Sequence, residues 1–158
     1  MNDPLHQINI AYVGKEDRLL LRVSTRKGDE YRAWLTRKFT ALLLKVLRQQ
    51  MDQFGGAPSL AASQETKRMF KQGALSQRFD TERSMEFPLG EEGILAVRVN
   101  ATTTRKGNLS LQILPERGQQ GITLNLSRTL LYLLYNVLTQ GIDQADWQLQ
   151  QDVSRKVH

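Results

Sequence analysis

The stretch LTRKFTALLLKVLRQQMDQ, Leu35 to Gln53, is nearly restated as LSRTLLYLLYNVLTQGIDQ, Leu126 to Gln144. Laid over each other without a gap, the two share Leu35/Leu126, Arg37/Arg128, Leu42/Leu133, Leu43/Leu134, Val46/Val137, Leu47/Leu138, Gln49/Gln140, Asp52/Asp143 and Gln53/Gln144. Each copy places a hydroxyl residue, Thr36 or Ser127, directly before an apolar run. Such a side chain can accept an N–H of the first helical turn, so both positions read as N-caps. In the first copy Phe39, Leu42, Leu43, Val46, Leu47, Met51 and Phe54 recur at three- and four-residue spacing, which is one face of a helix. Gly55 is placed to cap its end. In the second copy Leu130, Leu133, Leu134, Val137, Leu138 and Ile142 trace the same face. Leu131, Tyr132 and Tyr135 widen that arc, so the second helix is expected to be covered on more than one side.

Upstream of each helix the period changes from 3.6 to 2. Leu19, Leu21 and Val23 alternate with Arg18, Leu20 and Arg22; after a turn at RKGD, Tyr31, Ala33 and Leu35 alternate with Arg32 and Trp34. The second copy follows suit with Leu109, Leu111 and Ile113, a turn at PERGQQG, and then Ile122, Leu124 and Leu126. Gly28 and Gly118 stand at equivalent hairpin turns, where a positive φ is often needed. INIAYV and ILAVRVNATTT supply a first strand to each copy.

The expected fold is therefore α+β: tandem β-β-β-α repeats, with antiparallel sheets each packed on a helix, forming a pseudo-two-fold intramolecular dimer. One such unit cannot cover its own apolar face, whereas two can cover each other. The repeats span residues 1–54 and 87–147. Residues 55–86 read as a polar linker, partly disordered or a short helix, and 148–158 as a frayed tail.

The chain has 158 residues, no cysteine, and a formal net charge of +6. Its pI is near 9.8. Disulfides and thiolate metal sites are thereby excluded. No apolar run approaches the ~20 residues of a membrane span. The N-terminus lacks a basic region followed by an apolar one, so a secretory signal is not expected and a cytoplasmic protein is. A basic balance suits a polyanionic partner. Residues 1–54 hold ten Lys and Arg against six Asp and Glu, while the other segments are nearly balanced, so the excess sits on the first copy.

Catalytic patterns are missing. The two histidines, His6 and His158, lie near the chain ends, out of reach of a His-based triad or metal site. No phosphate-binding glycine loop occurs, and GEEG at 90–93 reads as a turn. The expectation is a non-enzymatic protein with no cofactor and no metal.

Candidate binding residues follow from the strand alternation. If Leu19, Leu21 and Val23 face a helix, Arg18, Arg22, Arg32 and Trp34 share the opposite face, where arginines could contact phosphates and an indole could stack on a base. The alternative is a solvated polar face with Trp34 packed into it. TRKG occurs at 25–28 and again at 104–107, placing Arg26, Lys27, Arg105 and Lys106 on hairpin tips that could follow a phosphate backbone; Lys and Gly are also ordinary turn residues. Arg37 and Arg128 sit at helix N-termini, where a cation opposes the macrodipole. The preferred explanation is an ion pair across the repeats, with Asp52 and Asp143 as partners if the helices run antiparallel.

This order of elements resembles the Pur-alpha, whirly and positive-cofactor-four group of single-stranded nucleic-acid binders. GITLNLSRTLLYLLYNVL looks like that group's strand-into-helix segment, and LSLQILPERG like the strand before it. The group's usual unit has four strands before the helix, against three here. The resemblance implies a single strand of DNA or RNA lying across a sheet face. The alternative is a protein-interaction or assembly factor acting through the second helix or the 55–86 segment, as a homodimer or with a protein partner.

Overall fold

The computed structural model describes residues 5–54, 79–80, 82, 84–118, 120–147 and 149. Expectations about 55–78, about a cap at Gly55 and about the tail beyond Leu149 lie outside the described residues.

Strands β1 (Leu5–Val13), β2 (Arg18–Thr25) and β3 (Glu30–Leu35) lead into helix α1 (Arg37–Phe54). After residue 79 come a short β4 (Ile94–Leu95), then β5 (Arg98–Thr103), β6 (Leu109–Leu114), β7 (Ile122–Leu126) and helix α2 (Arg128–Ala145). The strands form a four-stranded sheet in the order β1-β2-β3-β4 and a three-stranded sheet in the order β5-β6-β7. All pairs are antiparallel except β3 with β4. The protein is α+β.

Each helix begins where a hydroxyl can cap it. The Thr36 Oγ1 accepts from the Phe39 N–H at 3.1 Å, and the Ser127 Oγ from the Leu130 N–H at 3.3 Å. Helix α2 stops at Asp146, whose left-handed backbone (φ 56°) turns its N–H back to the carbonyls of Ile142 and Asp143. Gly28 and Gly118 do have positive φ, 98° and 85°. At both TRKG turns the Thr Oγ1 accepts the N–H four residues on, Asp29 or Asn108, and the Gly N–H returns to the Thr carbonyl.

The stretch 94–104, expected as one strand, is divided. Successive N–H groups of an extended chain point in opposite directions, and here they serve different sheets: Ala96 donates to the Trp34 carbonyl and Val97 to the Leu114 carbonyl. The chain thus leaves the edge of the first sheet and enters the second within two residues. That seam joins the sheets.

One core runs through both. Leu19, Leu21, Val23, Ala33 and Leu35 of the first sheet, and Leu109, Leu111, Ile113, Ile122, Leu124 and Leu126 of the second, are essentially inaccessible and belong to one cluster with both helices. Helix α2 lies on β1 and β2, and α1 reaches β5 as well as β3. Gly141 brings α2 close to the first sheet: a Cβ there would stand 2.9 Å from Ile10 Cγ2 and 3.4 Å from the Leu19 methyls. Arg37 stacks on Trp147 past the end of α2, and Arg48 meets Tyr135 near its middle, so the helices pack antiparallel.

The α1 face differs in one place from expectation. Leu42 is exposed, and the buried arc instead takes in Thr40 and Leu44 beside Phe39, Leu43 and Leu47. Its counterpart Leu133 is buried because α2 is covered more widely.

Candidate nucleic-acid interface

The first sheet does place the expected residues together. Arg22 stands opposite Arg32 in the β2–β3 register, and Leu20 opposite Trp34, so the two arginines and the indole share one face. Arg18 lies on the same side at the start of β2, opposite Val13. The face is not open. The chain after residue 79 folds over it.

Phe79 is buried beneath the Arg22 guanidinium, 4.5 Å from its carbon. Arg22 also donates to Asn9 Oδ1 at 3.0 Å. Burial holds its pKa below the ordinary arginine value, Arg32 adds to the depression, and Glu30 opposes it. Phe87 lies 4.9 Å from the Arg32 guanidinium. Arg32 donates to the Glu91 carbonyl at 2.7 Å and the Trp34 indole to the Glu92 carbonyl at 2.9 Å. At the centre is Glu30, with no exposed surface, which accepts from Arg32 Nε and from the Ser84 hydroxyl. Gly93 closes the loop against β3: a Cβ there would meet the Arg32 carbonyl at 2.5 Å.

Arg32 and Trp34 are therefore both tied to the 79–93 segment, and the Trp34 ring is half-buried beside it. Arg26 and Lys27, on the first TRKG tip, are exposed but lie next to Gly28, whose carbonyl accepts from the Met85 and Glu86 N–H groups. The sequence could not reveal this cover, because residues 79–93 show no periodicity that assigns them to a face.

The second sheet is different. Among the described residues, no segment is tied to its outer face by contacts like those that fasten 79–93 to the first. Thr102, Ser110 and Asn125 form one row across the three strands, and Asn100, Gln112 and Thr123 the next. Asn100, Thr102, Gln112 and Asn125 are exposed. Arg105 and Lys106 stand exposed on the β5–β6 tip beyond the first row. At the other end Arg98 donates to the Pro115 and Gly118 carbonyls, with Arg117 on the same turn. Residues 94–127 contain four cations and one acid, Glu116, and none of the acid lies on β5, β6 or β7. Sequence reading singled out Arg105 and Lys106 but not Asn100, Gln112 and Asn125. Their polar–apolar alternation with buried partners was the available signal.

Arg37 finds no carboxylate at Asp52 or Asp143. Its guanidinium lies over Trp147 at 5.5 Å. Trp147 is itself held by Asp17, whose Oδ1 accepts from the indole at 3.1 Å and from the Tyr12 hydroxyl at 2.7 Å. Those two bonds, the Tyr12 bond foremost, hold the Asp17 carboxyl below its ordinary pKa. The Tyr12 hydroxyl is raised, first by the same bond. A depressed folded-state pKa gives stability that is fully present above the unfolded value, near 3.9, and lost as pH falls through the folded one. The Tm advantage of wild type over Asp17→Asn should therefore be constant from neutral pH down to about 4 and shrink below it. Thermal melts at several pH values check this; an advantage that persists unchanged to pH 2 would show that the carboxylate is not the anchor.

Most of the wide apolar arc of α2 is buried within the chain. Leu131 and Tyr132 are buried, and Tyr135 lies against Arg48. Among the described residues no group of three or more His, Cys, Asp or Glu could hold a metal ion. No described helix is long and apolar enough to cross a membrane. A groove of about 290 Å³ lies at the seam, lined by Ile94, Leu95, Val97, Pro115, Glu116 and Arg117, with no nucleophile or acid–base pair among them. Comparison with protein-family models, with curated proteins and with solved structures found no match to this chain.

Proposed function

We propose that this is a non-enzymatic single-stranded nucleic-acid-binding protein whose binding surface is the outer face of the second sheet together with its cationic ends. On this reading the chain is a duplicated β-β-β-α unit, related to the Pur-alpha, whirly and positive-cofactor-four architecture. Each half lends its helix to the other, which the position of α2 on β1 and β2 and the reach of α1 to β5 support. One observation carries the functional reading. Among the described residues the face is left uncovered, and it is rich in amides and hydroxyls, free of acids, and bounded at both ends by cations. Cations at the ends match the charge of a phosphate backbone, and the groups between them can bond to bases or sugars.

The first face, expected to bind, is filled by the chain itself and is assigned a structural role. If Arg98, Arg105, Lys106 and Arg117 each neutralise one phosphate, log K should fall with log salt with a slope of about −2.8, or ~50-fold in affinity between 50 and 200 mM. Fluorescence anisotropy with a labelled single-stranded oligonucleotide measures it. Arg105→Ala with Lys106→Ala should flatten the slope by about 1.4. Absence of binding at low salt would end the proposal.

A further inference from the structure

We infer that the second sheet reads base edges through Asn100, Gln112 and Asn125, and that it prefers adenine-containing single strands; the inference rests on the function proposed above. Single-strand binders that ignore sequence commonly use aromatic side chains, because every base has a face to stack on. The outer positions of β5, β6 and β7 hold no aromatic residue: they are Asn100 and Thr102, Ser110 and Gln112, and Thr123 and Asn125, beside Arg98 and Leu114 at one end. What the face offers is directional. A carboxamide presents two N–H donors and a carbonyl acceptor in one plane. Asn and Gln match the N6 donor and N7 acceptor of adenine with a pair of bonds.

The placement suits separated bases. Asn100 and Gln112 are direct register partners across β5 and β6, and Asn125 lies one row toward the tip on β7. Successive rows are about 6.8 Å apart, two residues of strand. That is twice the ~3.4 Å spacing of stacked bases along a strand. A strand engaging successive rows must therefore unstack, and unstacked bases expose the edges that amides read. From Arg98 to Arg105 is seven residues, at most ~24 Å of extended chain, which at that spacing holds about four nucleotides.

The test compares three labelled hexamers of equal charge (adenine, thymine and abasic) on the full chain by anisotropy at low salt. Adenine is expected to bind at least tenfold tighter than abasic, with thymine between them. The Asn100→Ala, Gln112→Ala, Asn125→Ala variant should bind all three alike, at the abasic level, with an unchanged salt slope. These side chains are exposed, so its circular dichroism and melting should match wild type. Equal binding of the abasic and adenine hexamers by wild type would overturn the inference while leaving the proposed function standing. A preference that survives in the folded triple variant would overturn the residue assignment. Absence of binding to all three would overturn both.

Discussion

Glu30→Ala is expected to destabilise the protein by about 3 kcal/mol, at the lower end of what breaking a buried pair costs. Glu30 has no exposed surface, and its two oxygens take Arg32 Nε and the Ser84 hydroxyl. Removing it leaves Arg22 and Arg32 side by side in the register, two cations without their neighbouring carboxylate. Arg32 retains its bond to the Glu91 carbonyl and a quarter of its side-chain surface in solvent, which keeps the loss from the upper end of the range. Glu30→Gln keeps an acceptor for one neighbour and should cost less. Urea unfolding reads the difference as a lower midpoint at unchanged m. A loss under 1 kcal/mol would mean that the cover over the first sheet is not fastened at Glu30.

The second large effect concerns charge reversal on the same face. Arg22→Glu with Arg32→Glu would look, from sequence alone, like the removal of a binding platform from a protein that stays folded. With the face covered, the outcome changes. Two carboxylates would be set beside buried Glu30, the stacking of both guanidiniums on Phe79 and Phe87 would be lost, and the carbonyl of Glu91 would lose its donor. The expected loss exceeds ~4 kcal/mol, since uncompensated buried charge is among the costliest changes available. Circular dichroism melts check this. A reversed variant that melts like wild type and no longer binds oligonucleotide would restore the first face as the site and displace the second.

Much of the fold was legible because it is written in periods. Alternation of Leu19, Leu21 and Val23 with Arg18 and Arg22, and the switch to helical spacing after Thr36 and Ser127, each follow from which side must be buried. The same logic put Arg22, Arg32 and Trp34 on one face. What no period reports is whether a polar face is left to solvent. Phe79 and Phe87 are single aromatics in an irregular stretch, and their partners lie more than fifty residues away. The division of 94–104 was hidden for a related reason: the residues remain extended, and only the hydrogen-bond partners change. Likewise Arg37 was expected to seek a carboxylate. Over the Trp147 ring it sits instead on an apolar surface that α2's end provides, close enough to Asp17 for attraction without an ion pair.

Where the strand lies is settled by amide chemical shifts of the full chain titrated with an unlabelled adenine hexamer at low salt. The expected result is that the side-chain amides of Asn100, Gln112 and Asn125 and the backbone of the 104–107 turn move together, while the Trp34 indole N–H stays in place. Movement of the Trp34 indole and the Arg22 and Arg32 region, with the second sheet unchanged, would contradict it.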